Sequence, residues 1–216
     1  MGEGTYHLVT LGCPKNQVDS DKLEGVLVAD GLSSVDRASD ADLIVVNTCA
    51  FIEDARQESV DTVLALADQQ RDGARLVVTG CMAERYGDEL ASVLPEVDRV
   101  AGFGVPVTLG RRPDAPTSEL PSFDLLNLPR PAAARPWAYV KVAEGCDRSC
   151  GFCAIPTFRG PQRSRTAASI LDEVDALDAR EVVLVAQDLA SYGRDQGEGE
   201  RAIVPLVEAV ADLVDR

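Results

Sequence analysis

Apolar residues in the first ~110 positions come in short continuous runs, and stretches of helical spacing separate them. Tyr6–Thr10 reads as a strand. Ser20–Ala29 reads as a helix, with Asp19 or Ser20 as N-cap and Gly31 as stop. Asp42–Val46 and Arg75–Val78 are further strands, and Val97–Ala101 is a fourth. Between them lie helical patterns over Glu53–Ala67, with Val60, Val63, Leu64 and Ala67 on one face, and over Ala83–Leu94, which Pro95 closes. Uninterrupted apolar strands alternating with helices predict a parallel sheet covered on both faces.

The pattern then breaks. Pro113, Pro116, Pro121, Pro129, Pro131 and Pro136 crowd a stretch that also holds Ala132, Ala133 and Ala134. Proline removes backbone donors, so this stretch reads as an extended connector. Beyond it the alternation resumes, with a strand at Trp137–Val142, a helix at Ala167–Leu177, a strand at Glu181–Ala186 and a helix near Val204–Val214. A closed (β/α) barrel takes roughly eight such units and about 250 residues. The expected organisation is an N-terminal domain over 4–112, a linker over 113–134 and an incomplete second domain over 135–216. The chain therefore reads as an N-terminal fragment.

Hydrophobic residues make up 45% of the 216, enough to bury a core, which argues against global disorder. No apolar run approaches the ~18 residues of a membrane span, and the N-terminus lacks a secretory pattern. A cytoplasmic location is expected, with no membrane partner. The formal charge of −15 shows no overall basic footprint for nucleic acid.

Six cysteines change the picture. Cys13, Cys49 and Cys81 are far apart in sequence, but each follows an apolar strand. Parallel strands of such a sheet end at one edge, where ligands bind, so the three are expected side by side. Gly12, Thr48 and Gly80, the small residues before them, leave room for a bulky inorganic core. Cys146, Cys150 and Cys153 form a C-x3-C-x2-C loop after the strand at Trp137. In a reducing compartment, clustered thiols bind metal or do chemistry more often than they form disulfides. Each trio could hold an iron–sulfur cluster with one iron left open. Zinc and unligated thiols remain alternatives, and three strand-end cysteines could also be core packing.

The loop Cys146, Cys150, Phe152, Cys153 resembles the signature of radical S-adenosylmethionine (SAM) enzymes. The wider segments Ala138–Gly160, Thr10–Ser20 and Val46–Ile52 resemble the methylthiotransferase branch of that family. The resemblance implies an α/β fold: an N-terminal parallel-sheet methylthiotransferase domain, then the start of a radical SAM partial (β/α) barrel. It implies a transferase with two 4Fe-4S clusters, one on Cys13, Cys49 and Cys81 and one on Cys146, Cys150 and Cys153. The second would bind SAM at its open iron and the first would present sulfur. Leu11–Asn16 and Ala186–Gly193 are similar to the members that methylthiolate the β-carbon of an aspartate on the twelfth small-subunit ribosomal protein. The tRNA-adenosine members are the alternative, and a non-catalytic iron–sulfur-binding fragment is another.

An electron donor such as flavodoxin or ferredoxin is implied as a partner. No catalytic side chain is assigned, because the cofactors carry the hard step. Phe152, Arg165 and Gln187 are the candidate cofactor contacts. Phe152 reads as an adenine contact or a loop anchor. Arg159, Arg163 and Arg165 read as an anion grip or a solvated basic run. Gln187 and Asp188 read as a SAM or substrate contact, or as part of a helix cap. A fragment lacking the rest of its barrel is expected to show little turnover alone.

Overall fold

The computed structural model describes residues 4–109 and 125–215. Residues 113–124 of the expected proline-rich connector lie outside the described residues. The chain divides into two compact units, Met1–Leu125 and Leu126–Arg216.

In the first unit, β1 (Thr5–Thr10), α1 (Pro14–Ala29), β2 (Ser33–Ser34), β3 (Leu43–Thr48), α2 (Glu53–Ala67), β4 (Arg75–Gly80), α3 (Cys81–Val93) and β5 (Arg99–Ala101) follow in order. The strands form one sheet in the order β2-β1-β3-β4-β5, all neighbours parallel. Val46 is the registration point: it pairs with Val9 on one side and Val78 on the other. Every residue of β3 is buried, which is why that strand is apolar without alternation. Leu43, Ile44, Val45 and Val46 are fully buried, each stabilising the fold by about 1.5–3 kcal/mol relative to exposure. The expected α/β class and parallel sheet are both present.

Two helix starts differ from expectation. α1 begins at Pro14, not near Ser20, with Cys13 as its N-cap residue. Proline at the first helical position loses only a donor that would be unpaired there anyway. Asp19 and Ser20 are therefore not caps; they are buried inside the helix. Ser20 Oγ instead accepts from Thr10 Oγ1 at 2.6 Å and from Asn47 Nδ2 at 3.0 Å. Likewise α3 starts at Cys81 rather than Ala83, directly from β4. Gly87 interrupts its helical geometry.

The second unit contains β6 (Trp137–Lys141), β7 (Ala143–Glu144), α4 (Ile155–Arg159), β8 (Arg163–Ser164), α5 (Ala167–Leu177), β9 (Glu181–Val185) and α6 (Ile203–Ala211). β6 and β9 pair in parallel, from Trp137 with Glu181 to Lys141 with Val185, so α5 is the crossover. Thr166 caps α5, its hydroxyl accepting from the Ser169 amide at 3.3 Å. Ile170, Val174 and Leu177 on α5 pack with Ala138, Val140, Leu206 and Val210 in the core. Sequence periodicity gave no sign of β7 and β8, a two-residue antiparallel pair matching Ala143 with Ser164 and Glu144 with Arg163. Among the described residues, no helix is long and apolar enough to cross a membrane.

Candidate functional site

The first trio stands at the carboxyl edge of the five-stranded sheet. Cys13 follows β1, Cys49 follows β3, and Cys81 opens α3 after β4. These three strands are consecutive in the sheet. In the order 2-1-3-4-5, the chain leaves β1 toward opposite sides, and the crevice between β1 and β3 is where such sheets bind ligands. Cys49 and Cys81 are buried, Cys13 is partly exposed, and none of the three is in a disulfide.

The loops approach closely. A Cβ on Gly12 would stand 2.7 Å from Cys49 Cβ and 2.8 Å from its sulfur, and Gly12 has φ +91°. Only glycine fits there, and it brings the Cys13 turn against Cys49. Ser59 on α2 holds the Cys49 backbone: its Oγ accepts from the Cys49 amide at 3.1 Å and lies 3.1 Å from the Cys49 carbonyl. Thr48 Oγ1 donates to the Thr79 carbonyl at 2.6 Å, tying β3 to β4 one residue before Cys49 and two before Cys81.

The second trio sits in the loop closed by β7 and β8. The Cys146 amide donates to the Gly160 carbonyl at 3.0 Å, and the Gln162 amide to Asp147 Oδ1 at 3.0 Å. The Arg148 amide points at Cys146 Sγ, 3.4 Å away, while the Arg148 side chain pairs with Asp188 at 2.6 Å. That pairing, helped by a hydrogen bond from Ser191, holds the Asp188 carboxyl below its usual range. Cys146 is buried, Cys153 partly exposed and Cys150 exposed. Phe152 is 89% exposed, projecting from the loop with little packing of its own.

Beneath this loop lies a feature the sequence did not announce. Glu144 accepts from Lys141 Nζ at 2.7 Å, Gln187 Nε2 at 2.7 Å and Arg159 Nη1 at 2.9 Å. Lys141 and Arg159 are buried beside it, and Glu144 itself is partly buried. Burial pushes the Glu144 carboxyl up, but the two cations outweigh it and hold the group down at about 2. The available signal was Lys141, a charge closing an apolar strand, three residues before the carboxylate. Gln187 therefore stands at the carboxyl end of β9 with its amide donor committed, while its Oε1 is buried without a partner.

Arg165 is also buried, but its guanidinium faces inward, to the carbonyls of Lys141 at 3.0 Å and Ser169 at 2.8 Å and to Glu173 at 2.5 Å. Arg163 lies on the exposed side of β8.

Among the described residues, no group of three or more His, Cys, Asp or Glu side chains gathers as tightly as a single ion requires. A cube-shaped iron–sulfur cluster asks for a different arrangement, since each thiolate binds its own iron and the sulfurs surround an inorganic core. Thiol-only trios on three adjacent loops, or on one stapled loop, are donor sets of that kind. The glycine-lined approach in the first unit is the local feature that fits such a group.

Residues 5–102 match the family model described as "Uncharacterized protein family UPF0004". The chain is 44% identical to the ribosomal protein uS12 methylthiotransferase RimO of Desulfosudis oleivorans, over 96% of this chain and 50% of that protein. It is 42% identical to the RimO of Sorangium cellulosum, over 99% of this chain and 47% of that one. For Myxococcus xanthus RimO the identity is 46%, over 88% and 43%. The chain thus spans about half the length of the curated relatives it matches. A solved cobalamin-dependent SAM radical enzyme, OxsB, superposes with a TM-score of 0.47 at 12% identity, over 87% of this chain and 34% of that one.

Proposed function

We propose that this chain, homologous along nearly its whole length to the first half of the RimO methylthiotransferases, holds the two cofactor centres of a radical SAM enzyme that methylthiolates the β-carbon of an aspartate on ribosomal protein uS12. The observation that carries this reading is the partition of all six cysteines into two thiol-only trios, one on each compact unit. Cys13, Cys49 and Cys81 would hold one 4Fe-4S cluster, and Cys146, Cys150 and Cys153 the other. When bound, these clusters and SAM supply the radical and the sulfur that breaking and replacing an unactivated C–H bond requires.

The chain's own residues bind and orient. Three thiolates at each centre leave one iron free of protein, open to a ligand. Phe152 offers an exposed ring on which a purine can lie. Gln187 presents an unpaired acceptor, suited to an ammonium group, on an amide that Glu144 fixes in place. Arg165 serves indirectly, by holding the Lys141 carbonyl at the end of β6. A flavodoxin- or ferredoxin-type reductant in the cytoplasm would supply the electron. The net charge of −15 favours a cationic protein substrate over tRNA.

Anaerobic reconstitution tests the cofactor assignment. The wild-type chain should bind about eight iron atoms. Replacing either trio with alanine should remove about half, leaving the other centre intact. One zinc per chain, or full iron retention in both triple variants, would refute the reading. The substrate is settled by mass spectrometry of uS12 and of tRNA from cells lacking the gene, where loss of the uS12 modification alone is expected.

A further inference from the structure

We infer that Asn16 is a positioning residue for the first centre, one amide that sets the spacing of its three cysteine loops. This rests on the cluster assignment proposed above for Cys13, Cys49 and Cys81.

Asn16 lies in the first turn of α1 and is fully buried. Its Nδ2 donates to the Leu11 carbonyl at 2.9 Å, in the turn that leads to Cys13. The same nitrogen donates to the Thr48 carbonyl at 3.0 Å, the residue before Cys49. In the metal-free chain its Oδ1 accepts from the Cys81 thiol at 3.5 Å; that bond ends when the thiol loses its proton to bind iron, while the two bonds to backbone carbonyls persist. One side chain thus touches all three loops, which leave β1, β3 and β4. Both donors and the carbonyl oxygen of the amide are engaged. The orientation is not arbitrary: exchanging oxygen and nitrogen would set the amide oxygen against two carbonyl oxygens.

The backbone of Asn16 is anchored in turn. Its carbonyl accepts from Asn47 Nδ2 at 2.9 Å, and Asn47 also donates to Ser20. Asn16 therefore cannot drift with the helix terminus; it is pinned to β3 from above and below. It stands in the crevice between β1 and β3, where the sheet order opens. Groups that orient metal ligands without ligating shift metal retention by roughly 10–100-fold when removed.

The test uses the 216-residue chain with Cys146, Cys150 and Cys153 replaced by alanine, so that only the first centre is read. In that background, Asn16→Ala should keep its far-UV circular dichroism. It should release iron to a chelator roughly 10–100-fold faster, with an altered electron paramagnetic resonance line shape after reduction. Val18→Ala, a fully buried cavity variant on the same helix whose side chain has no polar atom to hold a loop, is the comparison. It should lose stability while keeping wild-type iron release and line shape.

If Asn16→Ala does not fold, Asn16→Ser is read in the same way. Release and line shape like those of the background chain, or an equal change in Val18→Ala, would overturn the role of Asn16. Cys81→Ala separates the two levels. Iron retention in Cys81→Ala sinks the cluster assignment itself, whereas iron loss there with retention in Asn16→Ala sinks only the inference about Asn16.

Discussion

The residue whose chemistry is most exposed to a change of conditions is Glu144. It neutralises only one of the two buried cations beside it, and Gln187 hangs on the same carboxylate. Removing it with Glu144→Ala would leave Lys141 and Arg159 buried and uncompensated, a change of about 3–5 kcal/mol. The carboxyl also gives the fold a defined acid limit. Its folded pKa of about 2 lies below the ordinary 4.5, so the folded state binds this proton less readily than the unfolded state. The stabilisation is therefore complete above 4.5 and is lost as pH falls toward 2. Urea unfolding from pH 6 down to pH 3 should show wild-type stability falling by about 2 kcal/mol, most of the roughly 3 kcal/mol that would be lost in full below pH 2. Glu144→Gln should start less stable and show a flatter profile over the same range. Parallel profiles for the two proteins would mean that other carboxylates set the acid limit.

At the scale of elements, the second trio depends on a neck rather than on a sheet edge. The pair β7–β8, the Cys146–Gly160 backbone bond and the Asp147–Gln162 bond close it. Gly145 sits at its tightest point, with φ +78°, where a Cβ would fall on the carbonyl oxygens of Pro161 and Gly160. Gly145→Ala should open the neck and lower iron at Cys146, Cys150 and Cys153, while the first centre keeps about half the total, measured after anaerobic reconstitution. This neck was not legible in the sequence. Two-residue strands have no periodicity to read, and their partners lie across an 18-residue-scale gap set by roughly one loop. The first unit was more open to reading, because β3 and β4 are continuous apolar runs. The start expected for α1, at Asp19 or Ser20, rested on those residues as caps and passed over Pro14, although proline is well suited to the first helical turn. The cysteine trios could be named from spacing and strand position. The hydrogen bonds of Asn16 and Glu144 could not, because they join residues as distant as Asn16 and Cys81 or Glu144 and Gln187, which only the register brings together.

For the molecule as a whole, charge discriminates between substrate classes more directly than any single residue. With 36 acidic and 21 basic residues, the chain repels a polyanion at long range. The substrate proposed above is a ribosomal protein, which must itself bind RNA and so carries a cationic surface that an acidic chain attracts and steers. Attraction between exposed charges is screened over a Debye length of about 8 Å at physiological salt, and less strongly screened below it. Capture of purified uS12 by this chain should therefore weaken steadily as salt rises from about 50 to 200 mM, mainly through a slower association rate. Under the same conditions tRNA should show no saturable binding, because no cationic footprint offsets the loss of its counterions. Stopped-flow association and a mobility-shift titration read the two arms separately. Saturable tRNA binding at low salt, together with uS12 capture indifferent to salt, would move the substrate assignment to nucleic acid. It would also require a basic surface that the total charge of this chain conceals.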